Sequence, residues 1–254
     1  MDLKLFRSRF SDDVLFKKNS LDKISNIEGT NSPLIQHTIN LAVSCLKGTT
    51  EAYLEVGCLN GASLEAASKK NEEVNKYACD IEIQGEMPRL IKEIPNLEFA
   101  HDDFFSIDLE TWITDPIGVY YYDANHDHGP TYQALKEIVP YLADKAIIFM
   151  DDIDGYSRVY NGWRKFMRKH SDQFMVVHEF WTPDRFRACT VGYSDGWWNG
   201  FAVAEFERYP EQRDESIESI AISRYHGIGK YANKPKVIYP AELKHIHGKE
   251  EIKI

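Results

Sequence analysis

Tyr53-Leu54-Glu55-Val56-Gly57-Cys58-Leu59-Asn60-Gly61-Ala62-Ser63 is the stretch that decides how this chain folds. An apolar run of strand length stops at a glycine, and past a second glycine Leu64, Ala66 and Ala67 take helical spacing. A strand joined to a helix by a glycine turn is the opening unit of an open α/β sheet, in which ligands sit at the carboxyl edge of the strands. Glycines at 57 and 61 let the backbone approach such a ligand, because no Cβ stands in the way. Spacing then selects the ligand. A dinucleotide fingerprint, GxGxxG, seats a pyrophosphate on the helix N-terminus, and position 59 here is Leu. A nicotinamide-dependent dehydrogenase is thereby disfavoured.

Outward from this unit the alternation repeats. Strands are expected at 52–56, 76–79, 97–100, 118–122 and 145–150, with polar or glycine-bearing tips and helix-like segments between them. That order implies a parallel sheet covered on both faces. Two further runs, 174–180 and 200–206, are separated only by a loop rich in aromatic and turn residues, and they read as an antiparallel pair. Upstream, the chain reads as helical to about Gly48. In its best segment Ser32 caps, Pro33 takes the first helical position, Leu34, Ile35, Ile39, Ala42, Val43 and Leu46 supply the apolar face, and Gly48 stops the helix. From Tyr209 onward the chain turns polar and less periodic. The expected architecture is an α/β domain over 1–208, doubly wound and Rossmann-like. It has N-terminal helices and a mostly parallel seven-stranded sheet with a terminal antiparallel pair. Residues 209–254 form a C-terminal extension that packs on the domain or on a partner.

A chain of 254 residues suits one such domain and can bury a large core. Its longest apolar stretches fall far short of a membrane span, and Asp2, Lys4, Arg7 and Arg9 occupy the place of a secretory apolar segment. A soluble, cytoplasmic protein with no membrane partner is expected. The net charge of -10 argues against nucleic acid, whose nonspecific affinity comes from clustered Lys and Arg. Cys45, Cys58, Cys79 and Cys189 show no CxxC spacing, so free thiols are expected rather than a disulfide framework or a zinc site.

Two strand tips are crowded with acid. The fourth strand runs into Asp123-Ala124-Asn125-His126-Asp127-His128-Gly129-Pro130, and the fifth into Asp151-Asp152-Ile153-Asp154. Neighbouring strands lie about 4.8 Å apart, which would bring Asp123, Asp151 and Asp152 towards one point. Two carboxylates about 4 Å apart repel by roughly 4 kcal/mol at an effective dielectric of 20, so a positive charge belongs between them. All-oxygen ligation favours a hard cation such as Mg²⁺ over zinc. Such an ion can hold a substrate hydroxyl and lower its pKa, and His126 is the candidate general base because imidazole titrates near neutrality. A plainer reading has Asp123 and Asp151 capping helices and the histidines solvated. Asp127 and His128, before the helix start at Gly129-Pro130, are bystanders on either reading, as are His245 and His247 in the polar tail. Trp181, Trp197, Trp198 and Phe201 either wall a substrate pocket or pack the core.

The ExGxxxGxS pattern of Glu55, Gly57, Gly61 and Ser63 resembles the first motif of class I S-adenosylmethionine-dependent methyltransferases. The resemblance spans about 32–207. It implies that Asp80, ending the second strand, bonds the ribose hydroxyls. It also implies that Asp102 or Asp103 meets the adenine amine, with Phe104 against the ring. The catalytic half resembles the metal-dependent O-methyltransferases acting on sugars of macrolides and other natural products, the macrocin and mycinamicin type, which carry a DxxH element and an adjacent acidic pair. On that resemblance Asp123, Asp151 and Asp152 are the metal ligands, Mg²⁺ the ion, and His126 the base. Catechol-type relatives fit less well, since they usually carry Lys in place of His126 and Asp-Asn in place of Asp151-Asp152. The chain departs from the sugar-type pattern at Ala124-Asn125, where a Gly-Asp pair is usual.

The function expected is methylation of a hydroxyl on a small molecule, a sugar or natural-product metabolite. Metal-independent O- or N-methylation and a non-catalytic cofactor-binding subunit are the alternatives. The N-terminal helices and the polar tail are candidate homodimer contacts.

Overall fold

The computed structural model describes residues 1–15, 21–28, 31–181, 199–209, 221–226 and 236–238. Among these residues nine strands form one sheet in the order β3-β2-β1-β4-β5-β7-β6-β8-β9. The strands are β1 (Ala52–Val56), β2 (Lys76–Asp80), β3 (Leu97–His101), β4 (Ile117–Tyr122), β5 (Leu142–Asp151), β6 (Phe174–Trp181), β7 (Phe201–Glu207), β8 (Ala221–His226) and β9 (Lys236–Ile238). From β3 through β5 all pairings are parallel. β7 slots antiparallel between β5 and β6, so the seven expected strands and their reversed pair are present.

β8 and β9 go beyond the expectation. They lie inside the expected C-terminal extension, β8 parallel to β6 and β9 antiparallel to β8. The extension therefore continues the domain's own sheet.

Every residue of β1 and β4 is buried. That is the mark of central parallel strands covered on both faces. One face carries α5 (Leu109–Trp112), α6 (His128–Ile138) and α7 (Ser157–Lys169), with Trp163 and Phe166 packed on Tyr120, Ile148 and Met150. The other carries α1 (Leu3–Arg9), α2 (Pro33–Ser44), α3 (Ala62–Ser68) and α4 (Met87–Glu93), with Ile35, Ile39 and Leu64 on Tyr53, Val119 and Tyr121.

Helix α2 starts as the sequence indicates, with the Ser32 hydroxyl accepting from the Ile35 amide at 3.3 Å and Pro33 in the first turn. It ends at Ser44, ahead of Gly48, whose φ of +76° belongs to the following turn. The opening is less helical than expected. After α1 comes a π-helical turn, Phe10–Leu15, and residues 21–28 carry no helix. There the Gln36 side chain takes the Ile24 and Ser25 amides at 2.9 and 3.0 Å, satisfying the backbone without a helical ladder.

Cys45, Cys58 and Cys79 are free and buried, as expected, and Cys189 lies outside the described residues. No described helix is long and apolar enough to cross a membrane.

Candidate active site

The sheet order reverses direction at β1, with β2 on one side and β4 on the other. At such a switch point the loops leaving adjacent strands diverge and open a crevice at the carboxyl edge. A cavity of about 550 Å³ lies there, lined by the tips of β1 to β4, among them Gly57, Asp80, Asp102, Asp103, Phe104 and Asp123. Five of the eight expected cofactor residues are therefore on its wall.

The other three lie behind the wall. Gly61 caps α3 with φ +89°, and a Cβ there would overlap the Leu90 side chain of α4. Glu55 is fully buried beneath the turn, where its carboxyl accepts from the Tyr53 hydroxyl at 2.7 Å and from the Ser63 hydroxyl. Burial pushes that carboxyl up to about 8. Glu55, Gly61 and Ser63 thus shape the glycine turn from below.

Gly57 has φ +88°, and a Cβ on it would overlap the Asp123 carbonyl, so glycine is what lets the β1 and β4 tips close together. Asp80 clamps the same turn. One of its oxygens accepts from the Cys58 and Leu59 amides at 2.7 and 2.8 Å, and the other accepts from Glu82 at 3.1 Å. Past β3, Asp102 accepts from the Asp103 amide at 2.7 Å and Asp103 from the Phe105 amide at 3.0 Å. Both acids line the cavity with one oxygen engaged, leaving both eligible for the adenine amine.

Around this cavity sit large apolar side chains left in solvent. Leu59 is 45 % exposed, Ile81 67 % and Phe105 39 %, and Phe105 stands edge-on to the buried Phe104 at 5.7 Å. Apolar groups exposed at the walls of a concave site mark a surface that a ligand covers. Ile81 does not stand out in the sequence and Leu59 does so only as a missing glycine, because a single exposed apolar residue in a loop carries no period.

β4 and β5 are parallel neighbours, with Tyr122 opposite Met150, so their acidic tips meet as anticipated. Ligand atoms of Asp123, His126 and Asp152 all lie within 4.8 Å of one another. The His126 Nε2 is 2.8 Å from Asp152, and its ring stacks on Tyr156 with centroids 4.2 Å apart. Asp152 holds a left-handed backbone, φ +60°, a conformation that costs a non-glycine residue energy and concentrates at functional sites.

Asp151 stands apart from the expected ligand set. One oxygen accepts from the Tyr121 hydroxyl at 2.5 Å and the other from the Asp152 amide at 2.9 Å. Burial pushes Asp123 up to about 7, and the charge of Asp152 adds to the rise. Burial raises Asp151 as well, followed by the charges of Asp123 and Asp152, while the hydrogen bond that His126 donates to Asp152 raises His126. Acids so arranged favour a proton or a cation between them. The donor set of two carboxylates and a rim imidazole fits a hard divalent ion held by Asp123 and Asp152.

The bystanders are accounted for. Asp127 pairs with Arg158 at 2.7 Å and precedes α6, which His128 opens. Phe201 is core, stacked on Phe149 at 5.3 Å. Trp181 closes β6, and Trp197, Trp198, His245 and His247 lie outside the described residues.

Residues 54–153 match the sequence profile of a family described as a methyltransferase domain. No curated protein matches the chain. Among solved structures the chain is similar to a Staphylococcus aureus protein assigned as a caffeoyl-CoA O-methyltransferase. The identity is 10 %, 81 % of this chain and 92 % of that one are covered, and the TM-score is 0.49. It is similar to the plantazolicin methyltransferase BpumL in complex with SAH, at 12 % identity, 81 % and 90 % coverage and a TM-score of 0.46. It is also similar to the N-methyltransferase NodS from Bradyrhizobium japonicum, at 16 % identity, 69 % and 95 % coverage and a TM-score of 0.44. Likenesses this distant say nothing about the methyl acceptor. The profile match runs from β1 to the acidic tip of β5, the same strands whose ends wall the cavity and carry the acids. The chain carries a methyltransferase domain over 54–153 and is an enzyme.

Proposed function

We propose that the enzyme methylates a hydroxyl of a small molecule, a sugar or natural-product metabolite, with the help of Mg²⁺. The observation that carries the reading is the convergence of Asp123, His126 and Asp152 at the mouth of the cofactor cavity. Asp123 belongs to both, so a group held at the acids lies beside a nucleoside held in the cavity.

In this reading Asp80 meets the ribose hydroxyls, Asp102 or Asp103 meets the adenine amine, and Phe104, Phe105 and Ile81 exclude water from the ring. Asp123 and Asp152 hold the cation, which when bound supplies Lewis acidity that makes an acceptor hydroxyl easier to deprotonate. His126 takes the hydroxyl proton. Its Nε2 is engaged with Asp152, which leaves Nδ1 as the basic atom and fixes the ring for it. The acceptor oxygen then attacks the sulfonium methyl, and the thioether leaves uncharged. The acidic chain suits a small neutral acceptor better than a nucleic acid.

One contact favours a second reading. An Asp–His pair at 2.8 Å can serve as an oriented base with no metal, as in other hydroxyl-activating sites. Chelation separates the two. Formation of S-adenosylhomocysteine, followed with hydroxylated acceptors, should stop in excess EDTA and return with added Mg²⁺. Full turnover in EDTA would remove the cation and leave the Asp–His pair.

A further inference from the structure

Behind the acids stands a tyrosine to which neither the glycine turn nor the DxxH element assigns a role. Tyr121 is fully buried on β4, and by strand alternation it shares a face with Asp123. Its hydroxyl meets three groups: Asp151 at 2.5 Å, Asp123 at 3.1 Å and the Asn31 side-chain nitrogen at 3.0 Å. Asn31, itself buried, precedes the cap of α2 and comes from the N-terminal segment, 90 residues away.

The stoichiometry of the hydroxyl constrains what these contacts are. A phenol has one proton to give. Asn31 donates into its lone pair, so that proton is free for the carboxylates, and the shorter distance gives it to Asp151. The second Asp151 oxygen is closed by the Asp152 amide at 2.9 Å. Both Asp151 oxygens are thus engaged by the protein, and Asp151 is not in the group formed by Asp123, His126 and Asp152.

We propose that Tyr121 and Asn31 are positioning residues. By engaging Asp151 and meeting Asp123, they set how the carboxylates stand toward the cation, and they tie that arrangement to the N-terminal segment. The inference rests on the cation reading above. It explains why an acid expected among the ligands is the one whose oxygens are both engaged by the protein.

The test uses the full chain and two readouts other than turnover. Mn²⁺ binding is followed by the electron paramagnetic resonance of the free ion, and S-adenosylhomocysteine binding by calorimetry. The Tyr121 hydroxyl stands 3.1 Å from Asp123, and removing an outer partner of a metal ligand typically weakens metal binding about 10- to 100-fold, so Tyr121→Phe should do so. Asn31→Ala removes one neutral hydrogen bond and should weaken it about 2- to 10-fold. Affinity for S-adenosylhomocysteine should be unchanged in both. That separates positioning from collapse, because the tip holding Asp123 is packed against Gly57 of the cofactor turn and a disordered site would lose both ligands.

Unchanged or tighter Mn²⁺ binding in the variants, with a wild type that binds the ion, overturns the positioning role and leaves the cation reading standing. Parallel loss of both ligands also overturns it. A wild type that takes up no Mn²⁺ removes the cation reading and this inference with it. If Tyr121→Phe does not fold, Asn31→Ala, at the edge of the network, carries the same test.

Discussion

Replacing Glu55 by Gln should make the protein more stable at alkaline pH and should flatten its stability profile. In the native state this carboxyl is sealed under the glycine turn, and burial lifts it from 4.5 to about 8 despite the hydroxyls of Ser63 and Tyr53, which favour the charged form. The unfolded chain releases the proton near pH 4.5, whereas the folded one keeps it to about pH 8. Across that window the folded state binds more protons, so its advantage is complete below pH 4.5 and falls as pH rises. At 1.36 kcal/mol per pH unit the loss is on the order of 5 kcal/mol by pH 8, with no discount for solvent because the side chain is fully buried.

An amide reproduces the neutral acid. Its oxygen accepts from one hydroxyl and its nitrogen donates to the other, leaving one N–H unmatched at a cost of about 1–3 kcal/mol. Glu55→Gln should therefore be equal to or slightly weaker than wild type at pH 5 and stronger by a few kcal/mol at pH 8. Urea unfolding of both proteins from pH 4.5 to 8.5 gives the difference directly, and titrations shared by the two proteins cancel in it. A difference that does not change with pH would refute the claim that Glu55 is protonated in the fold.

Other outcomes follow from single contacts. Gly57→Ala puts a Cβ at φ +88° against the Asp123 carbonyl, so cofactor affinity measured by calorimetry should fall at least about tenfold, with about 1–3 kcal/mol of stability lost to strain. His178, half-buried between Phe10 and Phe180, is pushed down to about 4, first by desolvation and then by Arg7. The unfolded chain takes the proton first, so stability is lost as pH falls from 6.5 towards 4, by about 3 kcal/mol, and His178→Phe should abolish that slope in thermal melts. Arg7 caps the buried Glu205 with paired bonds of 2.9 and 2.7 Å. Arg7→Ala should destabilise by about 2–3 kcal/mol, below the fully buried case because the guanidinium is part-exposed, and Arg7→Ala with Glu205→Met should recover most of it in chemical unfolding.

Local chemistry made the sheet and its switch point legible. A strand, a glycine turn and a helix within about a dozen residues can be read without knowing what packs on them, because chain geometry and the missing Cβ act locally. The starts of elements were less legible. β5 begins at Leu142 although Asp144 and Lys145 point to solvent, and β8 and β9 lie in a segment with weak period. Edge strands are selected by the neighbour they pair with, which an unpaired sequence does not display.

What the sequence determined alone was the order of strands and helices, the glycines at the turn, and the set of acids brought to one edge. Each of these depends on residues near one another in the chain. The roles of the acids were decided by tertiary structure. Asp151 and Asp152 are adjacent in sequence and alike in charge, yet one is closed by Tyr121 and the other pairs with His126. The hydroxyl making that distinction comes from the neighbouring strand and is itself braced by Asn31, 90 residues away. Desolvation and hydrogen bonding act through space, so only the folded chain could give two identical carboxylates different partners.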